Sequence, residues 1–93
     1  MLTHRTWRVV LRLPGRRVWV EQAGAGRTVV FLHAAIGDRR MWDGQVATLA
    51  GRYHVVRYDQ PGWGRSPTAT QPYSSVEEFN AVCWTTSGPR PPR

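Results

Sequence analysis

The order of local patterns predicts an α/β chain: an N-terminal β-hairpin, then a strand–helix–strand crossover, then the start of a further helix. Three observations carry this. Two successive runs alternate apolar and polar residues with the period of a strand. One run, Thr28 to Leu32, is apolar without alternation, as suits a central parallel strand covered on both faces. Between that run and the next lies a segment of helical period.

The first alternating run is Trp7 to Leu13, with Trp7, Val9, Leu11 and Leu13 on one face. Pro14-Gly15 turns the chain, and Arg17 to Gln22 repeats the alternation through Val18 and Val20, so the two runs read as an antiparallel hairpin. Ala23-Gly24-Ala25-Gly26 reads as a flexible connection. Its Gly-x-Gly precedes a strand, which is the wrong order for a dinucleotide-binding turn. Thr28 to Leu32 follows and should be the most buried strand. His33 to Arg40 is its loop. Met41 to Ala50 sets Trp42, Val46 and Leu49 on one helical face, and Gly51 stops it. Tyr53 to Tyr58 is the next strand, giving a right-handed parallel crossover. Asp59 to Tyr73 is rich in Pro and Gly and must be irregular. Ser75-Val76-Glu77-Glu78 reads as a capping box with Ser75 as N-cap, opening a helix through Phe79 and Val82. After residue 82 the period is lost, so residues 1–82 form the folded region and 83–93 a disordered Pro/Arg tail.

Ninety-three residues make one small domain with a thin core. No apolar run approaches the roughly 20 residues of a membrane span, and the first residues lack the apolar stretch of a signal peptide, so a soluble, cytoplasmic chain with no membrane partner is expected. Cys83 is the only cysteine, and His4, His33 and His54 show no metal-ligand spacing with it; neither metal nor cofactor is expected. The net charge of +7 raises nucleic acid as a partner. All 13 basic residues are Arg, however, and they are scattered, as a GC-rich coding sequence produces without selection for a ligand. The charge alone does not support a nucleic-acid partner.

Two short stretches carry more specific information. The apolar run enters His33-Ala34-Ala35-Ile36-Gly37-Asp38, and the later strand ends in Asp59-Gln60-Pro61-Gly62-Trp63-Gly64-Arg65-Ser66, with Trp42 on the helix between. This ordered set resembles the front of an α/β-hydrolase. There the third strand ends in a His-Gly-like turn supplying half the oxyanion hole, and the fourth ends in Asp-x-x-Gly-x-Gly-x-Ser. The resemblance covers about residues 7 to 80 and implies that they are the N-terminal part of an α/β-hydrolase sheet, incomplete and stopping before the family's nucleophile. It implies that the backbone N–H of Ala35, with Ala34 beside it where the family usually has Gly, is an oxyanion donor for a tetrahedral intermediate. It also implies that His33, Gly37, Trp42, Asp59, Gly62, Gly64 and Ser66 are motif positions of mainly structural value. Taken as residues, Asp59 and Ser66 suit hydrogen bonding to backbone amides, Gly62 and Gly64 suit positive φ, and His33 suits a bonded turn residue better than a general base. Trp42 reads as a core anchor, Trp63 as a loop residue at the mouth of the site, and Arg39 and Arg40 as solvated.

No Gly-x-Ser-x-Gly elbow is present, and neither acid nor His of a triad follows, so no catalytic residue is assigned. The tail offers an explanation. Trp84 has the single codon TGG, so the frame one base earlier must read Leu-Asp, then Tyr, His, Asn or Asp. With a TC-type codon for Ser87 it continues into an apolar residue and a possible Gly. Leu-Asp-x-apolar-Gly resembles the end of the helix before the nucleophile strand in α/β-hydrolases. The expectation is a frameshifted, truncated hydrolase, inactive alone, whose small-molecule substrate binds only to the complete domain; a natural Pro/Arg tail is the alternative. Its apolar edge would make the isolated chain poorly soluble or molten. A second reading is an interaction module whose sheet is completed by another chain, and a third is a basic nucleic-acid binder.

Overall fold

The computed structural model describes residues 6–34 and 36–87 and holds one mixed four-stranded sheet. β1 (Thr6–Leu13) and β2 (Arg16–Ala23) form the expected hairpin, with Val9 opposite Val20 and Leu11 opposite Val18. Gly15 makes the turn at φ +72°, a conformation open to glycine at little cost. β2 pairs antiparallel with β4 (His54–Asp59), Val20 lying opposite Tyr58. β3 (Thr28–Leu32) pairs parallel with β4, Val30 opposite Val56. The strand order is therefore β1-β2-β4-β3.

Side chains alternate across these strands and build a core on each face. Val18, Val20, Val56 and Tyr58 meet Val82 of α2 (Ser75–Ser87), with Val9, Leu11, Val30 and Phe79 packed around them. On the other face Ala23 and Val55 meet Ala50, with Val46 and Leu49 of α1 (Asp43–Leu49) and Phe31 around them. The sheet carries one helix on each face, as the crossover order requires.

Four details depart from the sequence reading. The most buried strand is β4, not β3: every β4 side chain but Arg57 is buried, whereas β3 is half-exposed because it stands at the sheet's edge. The helical segment opens with a 3-10 turn, Arg39–Trp42, because Asp38 accepts the Arg40 N–H at 2.8 Å and tightens the entry; Trp42 ends that turn and stacks on Phe31, ring centres 4.6 Å apart. The cap of α2 is Ser74 rather than Ser75. Its Oγ accepts the Glu77 N–H at 3.3 Å, and Glu78 turns inward to Arg16. Finally, α2 runs past residue 82 to Ser87, since no breaker occurs before Gly88-Pro89 and Thr86, buried, hydrogen-bonds the Val82 carbonyl at 2.7 Å. Residues 88–93, which hold the Pro/Arg part of the expected tail, lie outside the described residues. No described helix is long and apolar enough to cross a membrane.

Candidate functional site

Parallel strands β3 and β4 end side by side, and their following loops meet there. The meeting is held by a few buried polar side chains. His33, 3% exposed, follows β3 directly. Its Nε2 accepts the Gln60 N–H at 2.9 Å, its Nδ1 lies 2.7 Å from the Ala34 carbonyl, and the Gln60 side-chain amide donates to the His33 carbonyl at 3.1 Å. An Nε2 that accepts leaves Nδ1 to carry the proton, so the ring is neutral with its lone pair committed. His33 therefore ties the two loops together and has no free lone pair for a substrate proton, as the turn-residue reading expects.

Asp59, at the end of β4, is fully buried. Its carboxylate accepts the Arg39 and Arg65 N–H groups at 2.7 and 2.9 Å, and the Arg39 guanidinium at 2.8 Å. Ser66 Oγ donates to the Asp59 carbonyl at 2.5 Å while accepting the Trp19 N–H at 2.8 Å, fastening the loop to β2. Gly62 and Gly64 adopt φ +87° and +52°, and a Cβ on Gly64 would sit 2.3 Å from Asp59 Oδ2. Asp59, Gly62, Gly64 and Ser66 thus do what their residue types suggested. Trp63 is exposed at the loop's rim, edge-on to His33 with ring centres 6.5 Å apart.

The loop after β3 is less tied. Ala34 is exposed and its N–H points to Met41 Sδ at 3.3 Å; Ala35, the expected oxyanion donor, lies outside the described residues. A side chain on Gly37 would meet only ordinary contacts, so that position does not require glycine for space. Trp42 is half-buried, its Nε1 without a hydrogen-bond partner among the described residues.

Arg39 overturns the expectation of a solvated side chain. It is 12% exposed, with Nε 2.7 Å from Glu21 Oε2 and Nη1 2.8 Å from Asp59 Oδ2. Arg57 adds a contact to Glu21 at 3.3 Å and another to Asp43. Burial pushes the Glu21 carboxyl upward, but hydrogen bonds from Trp19 and Arg39 and the charges of Arg39 and Arg57 outweigh it and leave it below the ordinary range. Arg40 does stay in solvent, paired with Asp38, whose carboxyl the Arg40 hydrogen bonds hold at about 2. Arg39, Glu21 and Gln60 were the site residues that local pattern did not reveal. Glu21 carried the one available signal, an acidic residue inside an otherwise core-forming strand.

Below the site, Glu78 is fully buried, bonded through Oε1 to Arg16 Nε at 3.0 Å, with Oε2 unpartnered among the described residues. Burial raises its carboxyl above the ordinary value of 4.5, opposed by the hydrogen bond and charge of Arg16; Tyr58 and Tyr73 both feel its charge. A carboxyl raised on folding holds its proton where the unfolded chain has lost it, so its contribution weakens as pH rises above 4.5. Glu78→Gln is therefore expected to equal or exceed the parent's stability at pH 7, with the difference shrinking toward pH 4.5. Urea titrations at both pH values check this; a loss at pH 7 would mean that the Arg16 pair outweighs burial.

Comparison with known proteins agrees with this geometry. A family model described as "Alpha/beta hydrolase family" matches residues 29–92. The chain is 37% identical over 87 residues to the "Probable oxidoreductase EphD" of Mycobacterium tuberculosis, covering 86% of this chain and 15% of that protein. It is 44% identical over 52 residues to the "Pimeloyl-[acyl-carrier protein] methyl ester esterase" of Aeromonas hydrophila, 56% of this chain and 20% of that protein. Among solved structures, an alpha/beta hydrolase from Sphaerobacter thermophilus superposes with a TM-score of 0.75 at 27% identity, over 88% of this chain and 32% of that one. The chain thus spans between 15% and 20% of the length of these two curated relatives. With the matched residues running from β3 through α2, the chain belongs to the α/β-hydrolase family.

Proposed function

We propose that residues 28–66 supply the oxyanion-loop half of an ester- or acyl-hydrolysing α/β-hydrolase site, and that these 93 residues alone turn over no substrate. The observation that carries the reading is the committed His33: a buried, neutral imidazole that fixes the turn after β3 to the end of β4 through Gln60. In the family such a turn supplies a backbone N–H at the C-terminal ends of parallel strands, where charge developing on a carbonyl oxygen is best met by preorganised donors, and the resemblance assigns that role to Ala35. The nucleophile, the acid and the triad His must come from the remainder of a hydrolase domain, since the 93 residues contain no Gly-x-Ser-x-Gly. A small-molecule substrate would bind only in that complete domain. Ester chemistry is favoured over other family reactions by the named activity of the Aeromonas relative.

The isolated chain is expected to hydrolyse p-nitrophenyl butyrate no faster than buffer; sustained turnover would overturn the reading. In a chimera where residues 1–87 replace the matching segment of the Sphaerobacter hydrolase, ester hydrolysis is expected. There Ala35→Pro, which removes one donor N–H, should lower kcat by about 10²–10³ with little change in KM.

A further inference from the structure

The β1–β2 hairpin matches its charges at one end and not at the other. Arg8 lies opposite Glu21, with Nε 4.0 Å from Oε2. At the turn end Arg12 lies opposite Arg17, and both are exposed. Like charges directly across a strand pair are destabilising. None of the chain's carboxylate side chains relieves them. The sequence has 6 acidic residues, all among those described. Glu21 is tied to Arg39 and Arg57, Asp38 to Arg40, Asp43 to Arg57, Asp59 to Arg39 and Glu78 to Arg16. The remaining one, Glu77, makes no ion pair among the described residues.

Arg12 and Arg17 also share a cleft of about 360 Å³ between the hairpin turn and the loop after Ser66. That cleft is held in shape. Thr70 donates both its N–H and its hydroxyl to the Gly15 carbonyl, at 2.7 and 3.1 Å, and so pins the loop to the turn. Arg16 lines the same cleft; its side chain is 9% exposed, bonded to Glu78 and 5.0 Å from the centre of the Tyr73 ring. Thr68 adds a hydroxyl. Three guanidinium groups thus converge on one concave wall where Glu78 is the sole carboxylate paired with any of them.

We infer that this cleft binds the phosphate group of a small phosphomonoester, with Arg12 and Arg17 as its principal partners. Charge selects that class. A dianion neutralises both arginines where a monocarboxylate leaves one unmatched, and planar guanidinium groups donate in pairs to phosphate oxygens. Shape favours a small molecule over a polymer or a lipid surface, because the arginines line a walled cleft and not a flat face. The layout of the other unpaired arginines agrees. Arg27 and Arg52 immediately precede β3 and β4, at the end of the sheet opposite the hairpin turn, so the charges form no continuous stripe of the kind a nucleic acid tracks. Two charge-assisted pairs place the dissociation constant on the order of 1 mM.

The test titrates the 93-residue chain with glycerol 3-phosphate in chloride buffer of constant ionic strength, read by calorimetry. One saturable site is expected, with acetate binding about tenfold more weakly or less. Arg12→Gln and Arg17→Gln should each weaken glycerol 3-phosphate about tenfold or more, and leave circular dichroism unchanged because both side chains are exposed. Arg17→Lys should keep part of the affinity. Arg27→Gln removes the same charge from the far end of the sheet and should change nothing. Heat that never saturates, or a loss in Arg27→Gln equal to that in Arg17→Gln, reduces the effect to net charge and overturns the proposal. A chain that leaves glycerol 3-phosphate unbound overturns it too; binding of phosphatidylserine vesicles or of a DNA duplex through Arg12 and Arg17 in its place would identify a macromolecular surface instead.

Discussion

Arg39→Met is expected to destabilise the chain by about 3–5 kcal/mol, the effect of removing one partner from a buried ion pair. The reason lies in what stays behind. Glu21 and Asp59 approach Arg39 from β2 and from the end of β4, at 2.7 and 2.8 Å, and Asp59 is fully buried. Without the guanidinium, Asp59 keeps two backbone N–H donors but no cation, and Glu21 keeps Arg57 at 3.3 Å. A domain of this length is stable by roughly 5–14 kcal/mol in all, so the loss is a large fraction of the total. Arg39→Lys should recover only part, because one ammonium cannot reproduce a fork that reaches two carboxylates. Neutralising the abandoned acids, in Arg39→Met with Glu21→Gln and Asp59→Asn, should recover more than the lysine does if uncompensated charge is the cause. Urea titration followed by circular dichroism measures all three. A cost below about 1 kcal/mol for Arg39→Met would show that the cluster is solvent-screened in solution, as exposed pairs are.

The same cluster shows what the sequence could and could not disclose. The hairpin, the crossover and the start of α2 were legible because each rests on a local period: Val9 and Leu11 in β1, Val18 and Val20 in β2, Val46 and Leu49 in α1. Asp59, Gly62, Gly64 and Ser66 were legible because a tight loop selects those residue types whatever surrounds it. Arg39 was not, since an arginine next to another arginine in a polar loop looks solvated until the strand order brings Glu21 and Asp59 to it from 18 and 20 residues away. The partial exposure of β3 is hidden in the sequence for a related reason. An uninterrupted apolar run shows that both faces are covered, but says nothing of whether both edges are paired. The end of α2 is hidden for another reason: the apolar period fades after Val82, yet the first helix breaker comes only at Gly88.

Gly24→Ala is the second large effect, and it falls where the sequence suggested only a flexible connection. Gly24 follows β2 at φ +79°, a backbone that costs about 1–2 kcal/mol for a residue with a Cβ. Space is the larger matter. A Cβ there would lie 2.2 Å from the Tyr53 carbonyl oxygen and 2.3 Å from that of Ala50, both main-chain atoms held by the end of α1 and the entry to β4. Neither can rotate away as a side chain would. Relief requires separating the end of β2 from the α1–β4 corner, at the expense of the Ala23, Ala50 and Val55 core. The expected cost exceeds 3 kcal/mol, with the Ala23–Val55 end of the β2–β4 ladder losing hydrogen-exchange protection first. Gly44 provides the contrast. It lies in the first turn of α1 at ordinary φ with nothing within 4 Å of its would-be Cβ, so Gly44→Ala should stabilise by about 0.4–1 kcal/mol. Two identical substitutions 20 residues apart are thus expected to shift the urea midpoint in opposite directions. If both shifted it the same way, the close approach at Gly24 would not hold in solution, and the connection would be as loose as its composition implies.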